Sequence, residues 1–148
     1  MLRFCTILIL FAVLSSAKAQ TGYKEIDSVK YSKTEILNTV AADTKTQVYL
    51  KDGEIRKIRR DFTGSSFSST TIYYIKDGKL SQAVFVSLRK PNMYFDEHLY
   101  YANGKLVNWL TSDNKKGVPG TIAFTDKEKL SLHFFEVEFN EIKTKVKK

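Results

Sequence analysis

The chain has 148 residues, with 24 Lys and Arg against 16 Asp and Glu, a net charge of +8, two histidines and one cysteine. This length fills one core rather than two, and a lone cysteine excludes a disulfide framework. The positive balance serves solubility or an acidic partner such as surface polysaccharide, lipid headgroups or an acidic protein.

Met1-Leu-Arg3 supplies a positive charge, Cys5 to Leu14 is a nearly unbroken apolar run, and Ala17-Lys18-Ala19 is a small-x-small site before Gln20. These are the three parts of a secretory signal peptide. The apolar run falls well short of the roughly twenty residues that span a bilayer. Residues 1–19 are therefore expected to be removed, leaving residues 20–148 as a single exported domain, periplasmic or secreted. Cleavage also removes the only cysteine and two basic residues, Arg3 and Lys18, which leaves 22 basic residues and a net charge of +6. No transmembrane segment is expected after cleavage.

From Gln20 to Thr44 the pattern is mixed. Ser32-x-x-Glu35 has the form of a capping box, yet Glu35-Ile-Leu-Asn-Thr-Val40 also reads as a strand. The expectation is a helix near 21–32 followed by a strand.

Residues 45–111 carry a threefold hairpin signature: Tyr49-Leu-Lys-Asp-Gly-Glu-Ile55, Tyr74-Ile-Lys-Asp-Gly-Lys-Leu80 and Tyr100-Tyr-Ala-Asn-Gly-Lys-Leu106. Asp-Gly and Asn-Gly favour two-residue hairpin turns because both central positions need positive φ. Counting outward from the turns pairs Tyr49 with Arg56, Tyr74 with Ser81, Tyr100 with Val107 and His98 with Trp109. Alternation along a strand then sorts the side chains into two faces. One carries Val48, Leu50, Ile55, Ile75, Leu80, Val84, Val86, Leu99, Tyr101, Leu106 and Leu110 and reads as core. The other carries Tyr49, Arg56, Tyr74, Ser81, Phe85, His98, Tyr100, Val107 and Trp109, an aromatic surface mixed with polar groups. A bulge would reverse part of this assignment.

Between the hairpins, the polar run 61–69 reads as a loop, and Pro91 and Asn92 break the strand within 89–96. Residues 112–120 form an exit loop. Thr125-x-x-Glu128 is a second capping box. After it Leu132, Phe135, Phe139, Ile142 and Val146 recur at helical steps, which predicts an amphipathic helix near 126–147. The alternation of Leu130, Leu132 and Phe134 competes as a strand, but the length favours the helix. Either sheet face is open to it.

The catalytic inventory is thin. His133 reads as a helix-flank residue. Asp96 and His98 share a face, while Glu97 points the other way, so no metal set is complete. The serines of 65–69 lack the context of a nucleophile. Glu54, Asp96, Glu97 and Asp113 are available as carboxylates, but no spacing brings two together. There is no phosphate-binding glycine loop. No cofactor, no metal and no catalytic residue is expected. Basic residues beside the aromatic face, Arg56-Lys57 and Arg59-Arg60, give the strongest binding signal, of the kind that stacks sugars or bases; export favours glycan, lipid headgroup or protein over nucleic acid. Sheet-forming propensity alone also accounts for the tyrosines.

With these residues stated, the units resemble degenerate MORN-type hairpin repeats over residues 49–111, with a spacing of 25 and then 26 residues between the turn acids and amide at 52, 77 and 103. The order of leader, hairpins ending in Gly104-Lys-Leu-Val-Asn-Trp-Leu110, polar loop and helix is similar to exported bacterial proteins with no agreed activity. The resemblance therefore carries no functional residue to this chain.

The expected fold is α+β, an antiparallel β-meander of about six or seven strands built from repeated hairpins, with a C-terminal amphipathic helix packed on one face. The expected function is a small exported, non-catalytic binding or interaction protein. It would use an aromatic and basic sheet face (Tyr49, Arg56, Tyr74, His98, Tyr100, Trp109) or the inter-hairpin loops. Its partner would be an envelope protein, a glycan or an acidic surface, and not nucleic acid. The alternatives are an inhibitor or immunity-type protein against an envelope enzyme or toxin, and a weak hydrolase acting on glycan.

Overall fold

Seven strands follow one another in chain order: β1 (Lys33–Asn38), β2 (Thr44–Lys51), β3 (Glu54–Thr63), β4 (Phe67–Lys76), β5 (Lys79–Arg89), β6 (Met93–Ala102) and β7 (Lys105–Thr111). They form a single antiparallel meander in the order β1 to β7, and the chain then enters α1 (Ile122–Val146). The structure, a computed structural model, describes residues 30–38, 43–89, 93–111, 113 and 115–146. The leader, most of the helix expected near 21–32, and the last two residues lie outside them. Lys30 to Ser32 are not helical.

The three Asx-Gly sites form the expected turns. Asp52, Asp77 and Asn103 have φ of 54°, 52° and 53°, and the glycines after them 77°, 72° and 78°. Positive φ at both positions is the type I′ geometry, whose twist matches that of the flanking strands.

Past each turn the pairing departs from simple counting. Leu50 meets Ile55, but Tyr49 meets Lys57; Ile75 meets Leu80, but Tyr74 meets Gln82; Tyr101 meets Leu106, but Tyr100 meets Asn108. One extra residue, Arg56, Ser81 or Val107, is inserted in the same place in every hairpin. The Ser81 hydroxyl donates to the Tyr74 carbonyl at 2.9 Å. Such a bulge resets the alternation downstream, and the expected faces change accordingly. Phe85 and Trp109 join the core face, Val84, Val86 and Leu110 leave it, and His98 pairs with Leu110 rather than Trp109. The observed core holds Val48, Leu50, Ile58, Tyr73, Ile75, Leu80, Ala83, Leu99, Tyr101 and Leu106, closed by Phe124, Phe135 and Ile142 of α1.

Two connections are shorter than expected. β3 runs to Thr63 and β4 starts at Phe67, so most of 61–69 is strand. Gly64 N–H donates to the Phe67 carbonyl at 2.8 Å, and the Phe62 and Phe67 rings lie 6.0 Å apart across the turn. A Cβ on Gly64 would approach that carbonyl oxygen to 3.0 Å, which suits glycine at this position. β5 and β6 likewise extend to Arg89 and from Met93.

α1 begins four residues before the expected start. Thr121 is its cap, accepting the Phe124 N–H on Oγ1 at 3.3 Å. Thr125 lies inside the first turn and donates to the Thr121 carbonyl. Glu128 accepts the backbone N–H of Leu106 at 2.7 Å instead of closing a capping box. The predicted stripe holds: Phe135 and Ile142 are buried, and Leu132, Phe139 and Val146 pack against the core. The helix crosses the sheet from β7 towards β3, through Phe124 on Trp109, Ser131 on Tyr101, Phe135 on Tyr73 and Glu138 on Arg60.

The outward edge of β7 is covered by the exit loop and the start of α1. Glu128 takes the Leu106 N–H, Gly117 N–H donates to the Trp109 carbonyl at 2.8 Å, and Thr111 N–H donates to the Lys115 carbonyl at 3.1 Å. Covering an edge in this way blocks pairing with another chain.

Candidate functional site

On the face away from α1, one row crosses six strands: Tyr49, Lys57, Tyr74, Gln82, Tyr100 and Asn108. The three repeat tyrosines therefore share a face, as the common turn phase requires. The Lys57 ammonium lies 5.4 Å from the Tyr49 ring centroid and 4.9 Å from that of Tyr74, a cation between two aromatic faces. Tyr31 adds a ring 5.1 Å from Tyr49. His98 is in the next row, its Nε2 3.1 Å from an Asp96 carboxylate oxygen.

The predicted set is divided by the bulges. Tyr49, Tyr74, Tyr100 and His98 belong to this face. Arg56 is a bulge residue, and its guanidinium pairs with Glu54 at 2.7 Å and approaches Asp77 at 3.8 Å. Trp109 lies on the opposite face under α1, against Phe124. The cation within the row is Lys57, which counting without a bulge placed elsewhere. Tyr74 and Tyr100 are only 3% and 9% exposed, so the row offers little surface for stacking. Gln82, between them, is 1% exposed, and among the described residues neither of its amide atoms has a hydrogen-bond partner.

Further along this face Asp61 is held by Arg59, with Nε 2.9 Å from Oδ2, and by the Thr70 hydroxyl at 2.6 Å. Burial pushes its carboxyl up, but these two hydrogen bonds outweigh that and leave it below the usual carboxylate range.

The helix face carries a second arrangement. Glu97, almost fully buried, accepts the Trp109 indole N–H at 3.0 Å and the Lys127 ammonium at 2.9 and 3.0 Å. The Tyr101 hydroxyl meets Ser131 Oγ, whose own hydrogen goes to the Lys127 carbonyl, so Tyr101 donates. Burial, only partly offset by that bond, pushes the Tyr101 phenol up to about 12. Beside this cluster the sheet extends past α1 and leaves a cleft of about 320 Å³ between the helix and β4–β6.

At the end of the sheet remote from the Asx-Gly turns, large apolar side chains reach solvent. Phe67, Leu88, Tyr94 and Phe95 are between 36% and 58% exposed. Each lies beside one of the two short connections that the sequence had marked as loops. The signal for them was present, an aromatic or aliphatic residue next to a turn, but sequence reasoning assigned the aromatic surface to the tyrosine row alone.

Among the described residues no group of three or more His, Cys, Asp or Glu side chains could hold a metal ion, and no helix is long and apolar enough to cross a membrane. The chain matches no family model, no curated protein and no solved structure.

Proposed function

We propose that this is an exported, non-catalytic interaction protein that docks a protein partner on the end of the sheet formed by the β3–β4 and β5–β6 connections. One observation carries the reading: Phe67 and Phe95 on the helix face, and Leu88 and Tyr94 on the other face, expose apolar surface at that end. Apolar side chains exposed on both faces of one sheet end are costly in water unless a partner that wraps the end covers them. The buried condition of Tyr74 and Tyr100 moves the weight from the aromatic row to these connections.

The absence of catalysis is supported by what the carboxylates do. Glu97 serves Trp109 and Lys127, Glu128 serves Leu106, Asp61 serves Arg59 and Thr70, and Asp96 faces His98. Acids committed to fixed partners are poor candidates for the paired work of glycoside hydrolysis. An inhibitor or immunity-type role fits the same docking surface.

The test is photo-crosslinking in the living envelope, with the photoreactive residue placed at Tyr94, at Phe95 or, at the opposite end, at Lys51. A discrete adduct from the first two positions and none from the third is expected. Equal labelling at both ends would overturn the assignment.

A further inference from the structure

We infer that the cleft between α1 and β4–β6 is a binding site for an uncharged, single-chain amphiphile, with an apolar body and one hydroxyl or amide head. Its volume of about 320 Å³ is at the lower end of the range of small-molecule pockets. The walls are apolar: Phe85 and Phe95 from the sheet, Leu130 and Phe134 from the helix. Leu130 and Phe134 stand on the flank of α1 that the core does not use and are 52% and 54% exposed. Ser69, Thr71 and Ser87 contribute hydroxyl groups to the rim.

The class of head follows from charge. The ionic group at the cleft is the Lys127–Glu97 pair, whose charges cancel. Glu97 already accepts from both Trp109 and Lys127. A carboxylate brought here would face Glu97 and lose its own hydration with, among the described residues that line the cleft, no uncommitted cation to meet it, a heavy cost away from bulk water. An ammonium would compete with Lys127 for the same acceptor. A neutral hydroxyl or amide meets neither penalty, since it accepts from Lys127 and donates to Glu97 at once. The site goes beyond the docking surface and shares only Phe95 with it: Phe67, Leu88 and Tyr94 belong to that surface and do not line the cleft.

The experiment titrates the signal-cleaved protein with 1-decanol and with decanoate at a pH where the acid is ionised. It follows Trp109 emission and the displacement of the neutral dye Nile red. Trp109 reports directly, because its indole N–H and its ring both engage the Glu97–Lys127 pair. Saturable binding of decanol, at least about tenfold tighter than decanoate, with a shift in Trp109 emission, is expected. Phe134→Asp and Leu130→Asp lie on an exposed flank and are expected to keep native thermal unfolding while losing decanol. Tyr94→Asp keeps it. Decanoate binding as tightly as decanol, decanol binding unchanged in Phe134→Asp, or binding that leaves Trp109 emission unmoved would each overturn the assignment.

Discussion

The Trp109 indole nitrogen donates to Glu97 Oε1 at 3.0 Å, and the Lys127 ammonium meets the same carboxylate while lying 5.1 Å from the Trp109 ring. One side chain of β6 thus ties β7 and α1 together. Glu97→Ala leaves an indole N–H and an ammonium without their acceptor under the helix. A loss of about 1–3 kcal/mol in urea unfolding is expected, with a red shift of Trp109 emission. Glu97→Gln keeps an acceptor for the indole and should lose less. Equal losses in the two variants would show that the charge, not the hydrogen bond to Trp109, is what holds the junction.

Gly117 fixes the exit loop against the same tryptophan. A Cβ at this position would stand 2.3 Å from Trp109 Cε3 and 3.0 Å from Phe124 Cδ2. The neighbouring atoms are ring carbons packed between sheet and helix, so they have little room to yield. Gly117→Ala is expected to destabilise by about 1–3 kcal/mol, an overpacking cost, and to change near-ultraviolet circular dichroism. An unaltered spectrum and midpoint would mean that the loop moves away at little cost.

Much of the architecture was legible because it rests on local chemistry. Asp-Gly and Asn-Gly can adopt the two left-handed positions that a tight hairpin needs, and the helix stripe from Leu132 to Val146 repeats at the period of a helix. The faces were legible only as far as each bulge. Their signal was nevertheless present: after every turn two apolar residues are three apart (Ile55 and Ile58, Leu80 and Ala83, Leu106 and Trp109), where unbroken alternation would set them two apart. The start of α1 was missed because Thr125 and Glu128 satisfy a capping pattern, while the edge N–H of Leu106 is a better partner for Glu128. That competition involves residues 22 positions apart and has no local trace. The inter-hairpin connections were legible as one of two binding surfaces, but their strand structure was missed because serines and threonines hid it: Thr70 is paired to Asp61 across the ladder, and Phe67 closes the turn.

The bulges give a prediction about deletions. Ser81 and Gln82 together oppose Tyr74, after which Ala83 returns to the core beside Tyr73. Removing Ser81 leaves Leu80, Gln82 and Ala83 in simple alternation, so every later side chain of β5 keeps its face. This deletion is expected to fold, losing about 1–3 kcal/mol with the local twist and the hydrogen bond to Tyr74. Removing Val84 instead sends Phe85 and the rest of β5 to the wrong face, and no cooperative unfolding transition is expected. The comparison reads on urea denaturation followed by circular dichroism. If the Ser81 deletion also fails to fold, the bulge is required for the curvature that seats α1.

Glu138 gives the protein a pH dependence opposite to that of its paired acids. Burial pushes its carboxyl up; Arg60 opposes this from 3.8 Å, a long approach, and Glu141 adds to it. The native state therefore holds this proton more tightly than the unfolded chain does. The resulting contribution to stability is full below the unfolded value and is lost as pH rises through the folded one. Asp61 runs the other way: its lowered carboxyl stabilises above the unfolded value, and that contribution is lost as pH falls through the folded one. Glu138→Gln removes the need to ionise a buried acid, while Arg60 is half exposed and loses little with its distant partner. The variant should exceed the native protein in melting temperature at about pH 7, and the gap should narrow as pH falls and close below about pH 4, where Glu138 becomes protonated in the unfolded chain as well. Asp61→Asn should lower the melting temperature at about pH 7 and converge with the native protein only at lower pH. A Glu138→Gln variant less stable than the native protein at neutral pH would show that the contact with Arg60 outweighs the burial of the charge.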